Sequence, residues 1–214
     1  MEKISDKKQT RNFELNRQLF HLFLGIVAVF LLVYDFIGKE IVFLNLKIPY
    51  ADILILIIFG FLLSHMAKKI KIPVINQLLQ QFERKEELKT FPGRGIIFYF
   101  IGIYIALLAF PKEIAMASIM VLALGDSVSH AYGVHFGKIK HPFSKTKFLE
   151  GTIAGFAAGF IGAFVFLPWH EAFFASLAAM IAEAVEIKIG AEQVDDNLII
   201  PFVAGAAVWV ARLL

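Results

Sequence analysis

The stretch that decides the fold runs from Ile114 to Lys138 and reads IAMASIMVLALGDSVSHAYGVHFGK. Its apolar first half, Ile114 to Gly125, is too short to cross a hydrocarbon core that requires about 20 helical residues. It reaches a spanning length only if Asp126 to His130 continue the helix, which carries a carboxylate to the headgroup region or deeper. A charge there is expensive unless it meets a cation or a metal. Asp126 therefore marks either a structural salt bridge to Lys145 or Lys147 or a functional site.

The rest of the chain has the same character. Of 214 residues 58% are hydrophobic and 18% charged, with 23 Phe and a mean hydropathy of +0.71, too apolar for the surface of a soluble enzyme. Hydrophobic runs bounded by charges give seven candidate helices: Arg17 to Phe36, Ala51 to Ala67, Gly95 to Phe110, Ile114 to Gly125, Gly151 to Leu167, Ala172 to Ile187 and Leu198 to Leu214. The expectation is an all-α polytopic membrane protein forming one domain over residues 1–214, with no room for a soluble second domain. The absence of Cys removes disulfides, thiolate catalysis and Cys-ligated zinc. The charged segment before Arg17 leads into a full-length apolar run without a small-residue cleavage site, so the first helix reads as retained.

Seventeen of the 21 lysines and arginines fall on one side of this seven-span topology. The positive-inside rule then puts the N-terminus (residues 1–16) and the loops 68–94 and 126–149 in the cytoplasm, with the C-terminus outside. This distribution also accounts for the net charge of +3 and the pI near 9.0 through topology and membrane lipid headgroups, with no nucleic-acid partner. Within 68–94, Ile72, Ile75, Leu79 and Phe82 share one face of a helix begun at Pro73, which lies on the inner leaflet or packs on the bundle. Pro111-Lys112 and Leu167-Pro168-Trp169-His170 are tight connections, and neither can hold a site.

Four polar clusters lie at the cytoplasmic ends of these helices. Glu14, Arg17 and His21 share a helix face, continued by Gly25, as an interfacial anchor or as part of a site. The second cluster is Gly125-Asp126 with Gly133, Gly137 and Lys138. Its glycines allow a turn or a close approach to a ligand, or mark helix packing. It is not a Walker loop, since Ile139 replaces the required hydroxyl, and His130, His135 and His141 lack zinc spacing. The third, Lys145-Thr146-Lys147-Phe148-Leu149-Glu150-Gly151, places lysines before a carboxylate at a helix start. That order suits a magnesium-bound polyphosphate or plain topological anchoring. Gly151, Gly155 and Gly159 read as a packing stripe. The fourth joins Glu183 and Glu186 to Asp195-Asp196-Asn197, where Asp196 either caps a helix or belongs to the site. Asp126, Glu150, Glu183, Glu186 and Asp196 are five acids at one membrane face, and packed together they need a metal, lysines or protons to offset their repulsion.

Taken in order, these pieces resemble the membrane lipid-alcohol kinases that include dolichol kinase, phytol kinase and the CTP-dependent diacylglycerol kinase. Glu14-Leu-Asn-Arg17-Gln-Leu-Phe-His21 with Gly25 looks like the family's N-terminal basic helix, and Gly125-Asp126 with Gly133 and Gly137 like its central motif. Glu150-Gly151 after lysines, Glu183, and Asp196-Asn197-Leu198 followed by Pro201 look like the others. Phe148 stands where a hydroxyl residue is common between Lys147 and Glu150, and Ser129 and Val134 also depart from the pattern. The resemblance implies transfer of the γ-phosphate of a nucleoside triphosphate, CTP above others, to the hydroxyl of a polyprenol- or dolichol-like lipid alcohol. Implied roles follow. Asp126, Asp196 and Glu150 hold Mg2+; Lys145 or Lys147, with Lys138, the glycines 125, 133, 137 and 151, and Asn197, contact the nucleotide. Glu150 or Glu183 completes the metal shell or takes the alcohol's proton, and Arg17 and His21 line the phosphate or hydroxyl end. The lipid tail enters between helices. Two other readings remain open: a phosphatidate cytidylyltransferase, which also brings CTP to a membrane lipid, and a transporter with intramembrane charges. The oligomeric state is not legible.

Overall fold

The computed structural model describes residues 2–43, 46–70, 73–144, 146–185, 188–189, 192–213. Its elements are α1 (Glu2–Val33), a hairpin of β1 (Ile41–Phe43) and β2 (Leu46–Ile48), α2 (Ala51–Lys69), α3 (Pro73–Phe82), α4 (Lys85–Thr90) and α5 (Arg94–Ala109). They continue with α6 (Lys112–Met120), a π-helical turn (Val121–Asp126), α7 (Ser127–Phe136), α8 (Leu149–Phe164), α9 (Trp169–Ala184), a second hairpin of β3 (Lys188–Ile189) and β4 (Glu192–Gln193), and α10 (Asp196–Ala211). This is an all-α membrane protein with two small hairpins. The stretches Arg11–Val33, Ala51–Lys69 and Lys112–Phe136 are long and apolar enough to cross a bilayer, and α5, α8 and α10 are shorter apolar helices. Their outer faces carry exposed Phe, Ile and Leu, such as Phe23, Phe30, Phe59, Ile153 and Ile161, as lipid contact requires.

The apolar run begun at Ile114 does continue as helix past Asp126, as its length demanded. The polar loop expected over 126–149 is therefore helical as far as Phe136 and irregular only beyond it. The continuation is not a plain α-helix. The π-turn inserts a residue and rotates everything beyond it by roughly 100° relative to an unbroken helix.

Small residues let the backbones approach, which is how helices associate where lipid removes the hydrophobic drive between them. Gly25 of α1 lies against Ala123 in the π-turn. A Cβ on Gly155 would sit 2.6 Å from the Gly125 carbonyl oxygen, and one on Gly151 2.5 Å from that of Ser129, so α8 runs backbone to backbone along the π-turn and α7. Gly125 itself packs on Met180 of α9. Pro201 has no N–H for the Asn197 carbonyl one turn earlier, and that carbonyl lies against the bare Cα of Gly102, seating the start of α10 on α5. Tyr99, Ile103, Ile114, Ile119, Leu122 and Ile200 fill the space between. On the surface of the bundle, the Phe82 ring of α3 stacks on Phe20 of α1, with centroids 4.4 Å apart. The helix begun at Pro73 thus has a bundle contact.

At one end of the bundle Arg212 forks onto the buried Glu171, at 3.0 and 2.9 Å, and Lys112 pairs with Asp35. The polar clusters gather at the opposite end.

Candidate active site

The π-turn delivers Asp126, the last turn of α9 delivers Glu183, and the first residue of α10 is Asp196. One carboxylate oxygen from each lies within 4.8 Å of the others. Asp196 is free to join them because its neighbour does the capping: Asp195 Oδ1 accepts from the Asn197 backbone N–H at 3.1 Å and from its amide at 2.8 Å. Arg94 reaches Asp195 from the start of α5, at 3.7 Å. Burial holds the Asp195 carboxyl above its ordinary range despite the Asn197 N–H.

Lys147 enters from the loop between α7 and α8. Its Nζ lies 2.9 Å from Glu183 Oε1 and 3.0 Å from Asp196 Oδ2, and it also donates to the Glu183 carbonyl. Burial alone would pull this ammonium down, but Glu183, Asp196 and Asp126 outweigh it and hold Lys147 above its ordinary value. Three carboxylates therefore face one ammonium, and the buried Glu183 Oε2 has no hydrogen-bond partner.

A second network adjoins the first. Glu14 Oε1 accepts from Arg17 at 2.6 Å, Arg84 at 2.9 Å and His130 at 2.8 Å, joining α1, the α3–α4 junction and α7. His21 is buried one turn deeper, its ring edge-on to Tyr99. Behind these, Glu83 Oε2 accepts the Gly93 N–H at 2.6 Å, where Gly93 turns with φ 84° into α5. Burial pushes the Glu83 carboxyl up to about 7. Both networks open on one cavity of about 550 Å³, within the range of small-molecule sites. Its lining includes Asp126, Glu183, Asp196 and Lys147 together with Arg17, His21, Arg84, Arg94 and His130.

The structure brings together Asp126, Glu183, Asp196, Lys147, Arg17, His21, Gly133 and Asn197 as lining of this cavity. It does not bring Glu150 to the other acids. That carboxylate accepts the Lys138 and Ile139 N–H groups at 3.1–3.2 Å, where the 137–140 turn folds back over the start of α8, so of the expected trio Asp126 and Asp196 meet and Glu150 stands apart, while Glu183 joins them among the described residues. Gly125, Gly137 and Gly151 touch Met180, Phe148 and Ser129 and serve packing, and Lys138 is absent from the cavity wall. The expectations for Lys145 and Glu186 lie outside the described residues. Sequence reasoning does not single out Arg84, Arg94 or His130 for this cavity; the one signal for Arg84 and Arg94 is that the positive-inside count puts them on the same side as Arg17.

The fold and this cavity define a membrane-embedded protein with an acid and lysine cluster suited to phosphate chemistry. Over 194 residues, 89% of this chain and 90% of the relative, it is 31% identical to an uncharacterized protein of Methanocaldococcus jannaschii. It is 28% identical to CTP-dependent diacylglycerol kinase 1 of Schizosaccharomyces pombe over 63% of this chain and 67% of that one. It is 27% identical to a probable chloroplastic phytol kinase of Triticum aestivum over 66% of this chain, and the match spans about half, 49%, of that kinase. No family model and no solved structure matches the chain. The chain belongs to the family of dolichol kinases, phytol kinases and CTP-dependent diacylglycerol kinases.

Proposed function

We propose that the protein is a lipid-alcohol kinase that transfers the γ-phosphoryl group of CTP to the hydroxyl of a polyprenol- or dolichol-like alcohol. The observation that carries this is the gathering of Asp126, Glu183 and Asp196 around Lys147 in a cavity that Arg17, Arg84 and Arg94 also line. Phosphoryl transfer needs positioning and charge neutralisation more than covalent catalysis, and this set of side chains supplies both.

The trio also fits a magnesium ion. Its donors are hard carboxylate oxygens within 4.8 Å of one another, and Glu183 Oε2 is buried without a partner. Bound there, the ion would supply neutralisation of phosphate charge. The chain's own residues do the rest. Lys147 and Arg17 take phosphate oxygens, and Arg94 and Asn197 border the nucleotide. The alcohol oxygen bonds to the γ-phosphorus as the bond to the departing CDP oxygen breaks, and its proton passes to a carboxylate lining the cavity, Glu183 where that side chain is not held by the ion. The whole chain forms one kinase domain of seven membrane-crossing segments. The cavity faces the cytoplasm, where nucleotide arrives, as the positive-inside count of the sequence supports.

The test is purified protein in detergent with γ-labelled CTP and ATP against a panel of lipid alcohols. Label in the lipid from γ-labelled CTP is the expected result. Lipid labelled instead from the cytidine would assign CMP transfer, and vesicle transport without phosphorylation would assign a transporter.

A further inference from the structure

A second concavity, a groove of about 330 Å³, runs between α1 and α7, with Leu15, Leu19 and Leu22 on one wall and Val128, Ala131 and Phe136 on the other. Gln18 lines both this groove and the acid-lined cavity. It is only 3% exposed, and its side-chain oxygen has no hydrogen-bond partner. An unpaired amide oxygen at such depth costs free energy until something bonds to it. Its polar neighbours do not: the Ser127 hydroxyl donates to the Gln18 backbone carbonyl at 3.1 Å, and His135 Nδ1 is spent on the Ala131 carbonyl at 2.8 Å.

We infer that this groove receives the hydrocarbon chain of the acceptor lipid and that the Gln18 amide reads its hydroxyl, an inference that rests on the phosphotransfer reading above. The groove asks for an occupant that is apolar along its length and carries one uncharged polar group beside Gln18, the residue that lines both groove and cavity. A lipid alcohol has that form. A hydroxyl both donates and accepts, so it pairs with the amide in either orientation of its oxygen and nitrogen. Bound to Gln18 it faces the cavity that Asp126 and Glu183 line. The exposed stripe of Leu19, Phe23, Ile26 and Phe30 continues along α1 from the groove, and a chain longer than the groove lies against it in the bilayer.

The experiment photolabels the intact protein in detergent with a long-chain primary alcohol carrying a diazirine, and maps the label by mass spectrometry. Label on α1 around Leu19 and on α7 around Val128, lost in Val128→Trp, is expected. Label elsewhere, or label that survives Val128→Trp, overturns the groove. In kinetics, Gln18→Leu raises the KM for the alcohol about tenfold and leaves that for the nucleotide unchanged, whereas an equal rise in both would make Gln18 a structural residue. The two readings fail separately. Groove labelling without phosphate transfer sinks the kinase reading and leaves only a lipid-alcohol groove; phosphate transfer with label elsewhere sinks the groove alone.

Discussion

Lys147→Met is the perturbation that most directly tests the site. Methionine keeps much of the length of the side chain and removes the ammonium that is, among the described residues, the ion-pair partner of both Glu183 and Asp196. Two unit charges 4.8 Å apart, the outer limit for the three acids, repel by about 3 kcal/mol at an effective dielectric near 20. The variant must then protonate a carboxylate, splay the trio or bind another cation. In detergent without divalent ions its melting temperature should fall below that of the wild type. Magnesium should raise it by more than it raises the wild type, because the ammonium no longer competes for the same oxygens. Phosphate transfer should fall by about 100-fold or more, the usual cost of losing one charged group aimed at a developing negative charge. The assays are thermal unfolding with and without magnesium and γ-phosphate transfer on the same preparations. Equal magnesium stabilisation of both proteins, or full activity in the variant, would refute the shared-cation reasoning.

Other substitutions probe the surrounding geometry. Asp126→Asn should abolish phosphate transfer while the protein still inserts into membranes, and an active variant would remove Asp126 from the metal role. Glu150→Gln should keep most activity, since it still offers an acceptor to the Lys138 and Ile139 N–H groups, while Asp196→Asn loses it; the reverse ranking would return Glu150 to the site. Glu83 is held up to about 7 from 4.5, so its protonated form is favoured by folding. The stability it contributes is present below about 4.5 and is lost as pH rises to about 7. Unfolding measured across that window should show the decline in the wild type and a flatter profile in Glu83→Gln, whose amide still accepts the Gly93 N–H. Gly155→Ala places a methyl 2.6 Å from the Gly125 carbonyl and should destabilise the fold by about 1–3 kcal/mol with loss of activity; unchanged melting would contradict the close α8 crossing.

Most of the helical framework was legible because its signal is local. Apolar runs bounded by charges identify helices wherever lipid forbids other backbone structure. The short run ending at Gly125 announced, by its length alone, that a spanning helix there has to carry Asp126 inward. The glycines at 151, 155 and 159 were legible as a packing stripe for the same reason, since only bare Cα atoms at helical spacing allow such contacts. The π-turn was not legible, because a one-residue insertion in a helix leaves no mark on hydropathy.

By itself the sequence determined that this is a helical membrane protein, and it brought Asp126, Glu150, Glu183, Asp196 and Lys147 forward as candidates for one site. Which of those acids form a group was decided only in three dimensions. Glu150 and Glu183 look alike as carboxylates at helix ends. A turn of chain with two unpaired N–H groups claims the first, and the crossing of α9 with the π-turn and α10 presents the second to Asp126 and Asp196. Likewise Asp195 and Asp196 are adjacent and chemically equivalent, yet one closes the helix start on Asn197 and so leaves the other to face Lys147. Hydrogen-bond competition of this kind is settled by distances between elements far apart in the chain, and no local pattern encodes it.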